Sequence, residues 1–180
     1  LGKMMSLYFS SLNDYSTVLT SRGNSEFLIN NFDDNIEFFN VVEDDFQALA
    51  SKVKPDVIIN CIGRIKPTIN EEDNLSINET IKINSFFPME LQKYSKTNDI
   101  YYFQIGTDCV FSGKKGNYLE DDFLDADDLY GKSKIVGEIP AENKMIIRSS
   151  IIGPESGDGR SLLNWFIRNN SKEVSGFKNH

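Results

Sequence analysis

The chain has 180 residues, of which 39% are hydrophobic and 26% charged, a balance that suits one globular domain and argues against disorder. Lys and Arg number 19 against 27 Asp and Glu, and the net charge of -8 disfavours general affinity for nucleic acid or anionic membrane. No apolar run approaches the roughly 18 to 20 residues that span a bilayer, and the first residues lack a secretion-signal pattern, so a cytoplasmic protein is expected.

His180 is the only histidine, which removes Ser-His, Cys-His and His-rich zinc chemistry and leaves Tyr, Lys, Asp or Glu as general acid. No metal site is expected. Cys61 and Cys109 follow or end apolar stretches and read as reduced core thiols. Leu1 is not an initiator, and the last residues form no terminating element, so a fragment cut at both ends is expected.

Residues 3 to 12 carry apolar side chains at helical spacing, and Ser16 to Thr20 then form a short β-branched strand. A helix through Asp45 to Ala50 must stop before Lys54-Pro55, because the residue ahead of a proline is pushed out of helical geometry. Asp56 to Asn60 follow as a strand apolar on both faces, which suits a parallel sheet covered on each side. A polar loop from Arg64 to Asn74 leads to a long helix through Asn84, Phe87, Leu91 and Tyr94. Next come a strand at Ile100 to Ile105, a loop rich in Gly, Lys and Asp, a helix over Asp127 to Ile139 and a buried strand at Met145 to Arg148. Alternating units of this length predict an open α/β sheet whose ligands sit at the carboxyl ends of the strands, just after residues 20, 60, 105 and 148.

Tyr130 and Lys134 are four apart on the helix predicted over 127–139, so both side chains project from one face. A free tyrosine ionises near pH 10, too high for easy proton exchange at neutrality. An ammonium roughly 4 Å away, at an effective dielectric of about 20, favours phenolate by about 4 kcal/mol, or roughly three pKa units. Lys134 is therefore expected to bring Tyr130 close to neutrality. Such a pair is commonly no more than an amphipathic surface pair; the strand ending at Ile105-Gly106-Thr107 adds the third group, a hydroxyl placed to orient a carbonyl oxygen.

Thr107, Tyr130 and Lys134 resemble the catalytic Ser/Thr, Tyr and Lys of the short-chain dehydrogenase/reductases. The run Gly106-Thr107-Asp108-Cys109-Val110-Phe111, followed by Tyr130-Gly131-Lys132-Ser133-Lys134 and Gly137-Glu138, is similar to the extended branch that modifies nucleotide-linked sugars, nearest in pattern to the dTDP-4-dehydrorhamnose reductases. That pattern has Ser-Thr-Asp where this chain has Gly106-Thr107-Asp108, which leaves Thr107 as the hydroxyl donor. Pro55 to Gly63, Asn84 with Pro88, and Arg148-Ser149-Ser150 also resemble family segments.

The resemblance implies a Rossmann-type doubly wound parallel sheet, here lacking the first strand and most of the substrate lobe. Residues 1–180 would be a partial NAD(P)-binding domain, with the substrate lobe starting near 151–180. It implies NADPH-dependent reduction of a nucleotide-linked 4-keto-deoxysugar, made for surface polysaccharide. Tyr130 would protonate the oxygen, Thr107 would orient the carbonyl, and Lys134 would also hold the nicotinamide ribose. Gly2 resembles the last glycine of the family's dinucleotide fingerprint, and Cys61, Ile62 and Gly63 resemble the strand end beside the nicotinamide. Arg22, after the strand ending near Thr20, favours the 2′-phosphate of NADP, with NADH as the alternative. No nucleic-acid or membrane partner is implied, and a homodimer is left open.

Arg64 and Lys66 read as solvated loop charges or, less readily, as ligands of a diphosphate. The acidic run from Glu120 to Asp128 reads as helix-entry and loop charge, with Asp127 or Asp128 near the positive helix end. Two rival readings keep the fold: epimerisation or dehydration of a nucleotide sugar, and a non-catalytic NADP-binding regulator. Gly131-Lys132-Ser133 does not make a phosphate-binding P-loop, because Ala126 stands where that motif needs glycine.

Overall fold

The structure is a computed structural model that describes residues 1–23, 26–32, 35–153 and 161–175; His180 and part of the segment expected to open a substrate lobe lie outside these. Helix α1 (Gly2–Ser10) leads to strand β1 (Leu19–Ser21), helix α2 (Glu26–Asn31) and strand β2 (Ile36–Phe38). The strand expected at 16–20 thus lies one to three residues later, and α2 and β2 add a unit that periodicity did not reveal. Helix α3 (Phe46–Val53) is capped by Asp45, whose side chain accepts from Gln47 N, and it ends at Lys54 with φ +50°, just ahead of Pro55 as the sequence requires.

Strand β3 (Val57–Asn60) follows, then a 3₁₀ turn at Lys66–Thr68 and helix α4 (Asn74–Ile81), capped by Asp73. A π turn at Lys82–Phe86 joins α4 to helix α5 (Phe87–Asn98). Pro88 has no N–H to offer the carbonyl of Asn84, so the regular ladder cannot continue through this point. Strand β4 (Tyr101–Gly106), helix α6 (Leu129–Gly137), strand β5 (Lys144–Arg148) and helix α7 (Leu162–Arg168) complete the order.

All described strand pairs are parallel: β1 with β2, and β3 with β4 with β5, while β1 and β3 do not pair with each other. The core lies on one face of the larger sheet, where Ile58 and Tyr102 meet Phe46 and Ala50 of α3, Ile83 of the π turn, and Phe87 and Leu91 of α5. The Phe46 ring sits edge-on to Phe39, Phe87 and Tyr94. The burial expected for Asp56–Asn60 and Met145–Arg148 holds on this face only. Val57, Tyr101, Met145 and Ile147 point the other way and are exposed, because α3 and α5 pack together on one side.

Candidate active site

β4 delivers Thr107 to the carboxyl edge of the sheet. Its hydroxyl accepts from Cys109 N at 3.2 Å, capping the 3₁₀ turn Asp108–Val110, and donates to Asp108 Oδ1 at 3.3 Å. α6 brings the Tyr130 phenol close to Thr107, Asp108 and Cys109 of this connection. The start of α6 is set by Asp128, whose Oδ1 accepts from Gly131 N at 2.7 Å, the helix-entry role expected of an acidic residue there.

Lys134 is one turn further along α6 and only 7% exposed. Its Nζ donates to Ile105 O at 3.3 Å, which draws it to the ends of the strands. A Cβ added to Gly63 would stand 3.2 Å from that Nζ, so a larger residue at 63 would crowd the ammonium. The turn that carries Gly63 is pinned by Asn60, which donates to Gln104 Oε1 at 2.9 Å and accepts from Ile62 N at 3.0 Å. Thr107, Tyr130, Lys134 and the Cys61–Gly63 turn therefore gather at the ends of β3 and β4.

The acidity expected of Tyr130 is not found. Burial pushes the phenol up from its ordinary value, the nearby Thr107 hydroxyl opposes this, Cys109 and Asp108 reinforce it, and Lys66 opposes it. Lys134 is not among the main groups acting on the phenol: its ammonium turns to Ile105 O. Burial pushes Lys134 itself down, against the charge of Glu138.

Gly2 opens α1 beside the same turn; a Cβ there would lie 3.5 Å from Cys61 Cβ. Burial pushes the Cys61 thiol up, and both cysteines are free. Arg22 stands apart on the exposed bend after β1, with no hydrogen bond or ion pair to the Tyr130 group. Arg64 is neither a solvated charge nor turned to a ligand. It is a loop staple: its guanidinium reaches Glu79 Oε2 at 2.6 Å and Ser76 O at 3.2 Å, and its N–H donates to Asn84 Oδ1 at 2.9 Å.

Sequence reasoning missed the placement of three groups. Lys66 pairs with Asp128 at 2.6 Å and stands 5.9 Å from the centre of the Tyr130 ring. Glu138 is buried, with Oε2 accepting from Arg148 Nε at 2.8 Å. Lys144 lies against the Tyr102 ring and is pushed down to about 8 by burial. The last two had a signal in Gly137-Glu138 and in a lone lysine opening an apolar strand; the Lys66 contact had none. Two open grooves, one along α5 by Gln92 and Lys96 and one between the π turn and α6 by Ser85 and Val136, contain none of Thr107, Tyr130 or Lys134. Among the described residues no cluster of potential metal ligands occurs, and no helix is long and apolar enough to cross a membrane.

A family profile described as the RmlD substrate binding domain matches residues 35–173. A comparison with curated proteins finds no match. Among solved structures, the chain is similar to a hypothetical dTDP-4-dehydrorhamnose reductase from Sulfolobus tokodaii, at 26% identity and a TM-score of 0.68 over 87% of this chain and 55% of that one. It is also similar to a dTDP-4-dehydrorhamnose reductase from Bacillus anthracis in complex with NADP, at 22% identity and a TM-score of 0.59 over 78% of this chain and 51% of that one. A UDP-glucuronic acid 4-epimerase from Bacillus cereus, in complex with UDP-glucuronic acid and NAD, gives 16% identity and 0.65 over 82% and 52%. The last two likenesses speak for the Rossmann-like fold alone. The chain spans about half the length of the solved relatives it matches.

Proposed function

Because the chain belongs to the RmlD substrate-binding-domain family, we propose that the whole protein reduces the keto group of a nucleotide-linked deoxysugar with NADPH, as a dTDP-4-dehydrorhamnose reductase. Its product would serve as a precursor of surface polysaccharide. The observation that carries this reading is the grouping of Thr107 and the Tyr130 phenol at the carboxyl end of β4, with the buried ammonium of Lys134 one turn along the same helix.

The residues at the strand ends fit a nicotinamide dinucleotide. Lys134 has three N–H donors and uses one on Ile105 O, so donors remain for ribose hydroxyls. Gly63 has no side chain to fill the space before that ammonium, and Gly2 starts a helix against Cys61, where a helix N-terminus suits a pyrophosphate. Arg22, exposed after β1, suits the 2′-phosphate of NADP.

When bound, the reduced nicotinamide supplies a hydride to the keto carbon. Thr107 orients the keto oxygen by a hydrogen bond. Tyr130 gives its phenolic proton to that oxygen as negative charge develops there, and the resulting phenolate regains a proton from solvent. Burial makes the phenol a weaker acid, so its proton passes as negative charge develops on the keto oxygen rather than ahead of it.

In the test, purified full-length protein is mixed with NADPH and dTDP-4-dehydrorhamnose, and NADPH absorbance is followed. One NADPH should be consumed per sugar reduced, and Tyr130→Phe should lower kcat by about 10²- to 10⁴-fold, with NADPH binding retained. Undiminished reduction by Tyr130→Phe would refute the role of Tyr130. Interconversion of sugars without net loss of NADPH would favour an epimerase.

A further inference from the structure

Strand β3 pairs with β4 only as far as Asn60 opposite Gln104. Beyond that rung, side chains take over the bonding. Asn60 Nδ2 donates to Gln104 Oε1 at 2.9 Å, and the Tyr102 hydroxyl donates to the same oxygen. The other end of the Gln104 amide is also used, because Nε2 donates to Ile105 O at 3.0 Å. Lys134 Nζ donates to that same carbonyl, at 3.3 Å. Asn60 Oδ1 meanwhile accepts from Ile62 N at 3.0 Å. One buried amide therefore links the Cys61–Gly63 turn on one side to the seat of the ammonium on the other. Apolar groups of the same shape in place of hydrogen-bonded partners cost little or nothing in stability. Asn60, Tyr102 and Gln104 are all buried, so stability alone does not account for three polar side chains at this point.

We propose that Gln104 is a positioning residue for cofactor binding, fixing where the Lys134 ammonium stands relative to the Cys61–Gly63 turn. The proposal rests on Lys134 as the holder of the nicotinamide ribose. A carbonyl oxygen has two lone pairs. Gln104 Nε2 occupies one on Ile105 O and confines Lys134 to the other. Through Asn60 the same side chain holds the turn whose Gly63 leaves open the space before Nζ, where an added Cβ would stand 3.2 Å from it. Ammonium and turn are thereby kept in one register. An ammonium free to move over both lone pairs would hold a ribose in no single direction.

The test uses full-length protein, with NADPH binding measured by calorimetry and the lysine side chains followed by nitrogen-15 spectra. The Lys134 signal is assigned by its loss in Lys134→Met. Gln104→Met should weaken NADPH binding by about 10-fold, the equivalent of one hydrogen bond to an ammonium, and should shift the Lys134 Nζ signal. At saturating NADPH, kcat for dTDP-4-dehydrorhamnose should fall by no more than about 3-fold, because the loss lies in binding. In the Lys134→Met background, adding Gln104→Met should weaken binding by less than about 2-fold more, since Gln104 acts through the ammonium. Gln104→Glu keeps the shape and the acceptor for Asn60 and Tyr102 while removing the donor to Ile105 O. It should show a similar loss and serves if Gln104→Met does not fold. Unchanged NADPH affinity and an unmoved Lys134 signal in these variants overturn the proposal. So does a full loss that persists in the Lys134→Met background, which is what a merely structural role predicts. A wild-type protein that binds no NADPH, but whose Lys134 signal moves on substitution of Gln104, would support this seating of the ammonium and overturn the nicotinamide reading instead.

Discussion

Gly131 is the position at which the seating of α6 is most exposed to attack. A Cβ added there would stand 2.4 Å from Ala126 Cβ and 2.6 Å from Cys109 O, whereas comfortable carbon contacts are about 3.5 to 4.0 Å. Neither neighbour has a rotamer into which to retreat. Ala126 is fixed in turn by its N–H, which donates to Val110 O at 3.1 Å. In Gly131→Ala the helix must therefore withdraw by about 1 Å, stretching the 2.7 Å bond between Asp128 and residue 131. Overpacking costs about 1 to 3 kcal/mol and a weakened cap about 1 more, against a gain of about 1 kcal/mol from replacing a helical glycine. The expected net loss is about 1 to 3 kcal/mol, read from urea denaturation of the full-length protein. Because Tyr130 is the adjacent residue, a displacement of this size should also lower kcat by about 10²-fold. Gly23→Ala, where an added Cβ meets nothing within 4 Å, is the control and should change stability by no more than a few tenths of a kcal/mol. Should Gly131→Ala prove more stable than wild type and turn over normally, the close docking of α6 on residues 109 and 126 would be wrong.

Lys144 should give stability a pH dependence of definite sign. Its folded value of about 8 lies below the ordinary 10.5, so between these the unfolded chain binds more protons and stability rises with pH. Discounted for partial solvent exposure, the gain from about pH 7 to about pH 10 is about 1 to 2 kcal/mol. It should appear as a difference between wild type and Lys144→Met, in which the opposing titrations of Cys61 and the buried tyrosines cancel; a difference that stays flat with pH would refute it. Arg64→Met should destabilise by about 1 to 3 kcal/mol, because it leaves Thr68 O without its donor and removes the ties to Ser76 O and Glu79 that hold the loop on α4. Protease should then cut within residues 64–74 faster than in wild type, and Arg64→Lys should rescue only in part, since an ammonium lacks the guanidinium fork.

The features legible in the sequence are those set by local rules. Pro55 dictated where α3 stops, the 100–105 and 145–148 runs gave β4 and β5, and the four-residue spacing put Tyr130 and Lys134 on one helix. Thr107 was placed by the end of an apolar strand, and its nearness to Tyr130 follows once α6 docks there. The π turn had a signal that went unread: Pro88 stands four residues after Asn84 and removes the N–H its carbonyl would meet. Which face of β3 and β5 is covered was not legible, because unbroken apolar runs look alike whether helices pack on one side or both. The partner of the Lys134 ammonium was not legible either. Helical spacing says that Lys134 can reach the phenol; it does not say that a buried ammonium will find Ile105 O, nor that a loop 64 residues upstream of Tyr130 will bring Lys66 beside it.

Gly106, where the family pattern has serine, also has a physical reason. A Cβ on Gly106 would stand 2.6 Å from Glu138 Oε1 and 3.2 Å from both Arg148 Cγ and Ile146 Cγ2. Glu138 cannot swing away freely, because Arg148 Nε holds its other oxygen at 2.8 Å and Arg148 is itself tied to Glu120 O. Its Oε1 is buried without a hydrogen-bond partner among the described residues, so the carboxylate is kept in place by charge: Arg148 directly, and Lys134 and Lys144 through the field that raises their proton affinity. Glycine at 106 and a buried carboxylate at 138 thus share one small volume behind the strand end, and enlarging either displaces the other. The departure from the pattern is a packing exchange in the layer beneath Thr107. It leaves untouched the hydroxyl at 107 beside Tyr130, which the proposed reaction uses to orient the keto oxygen.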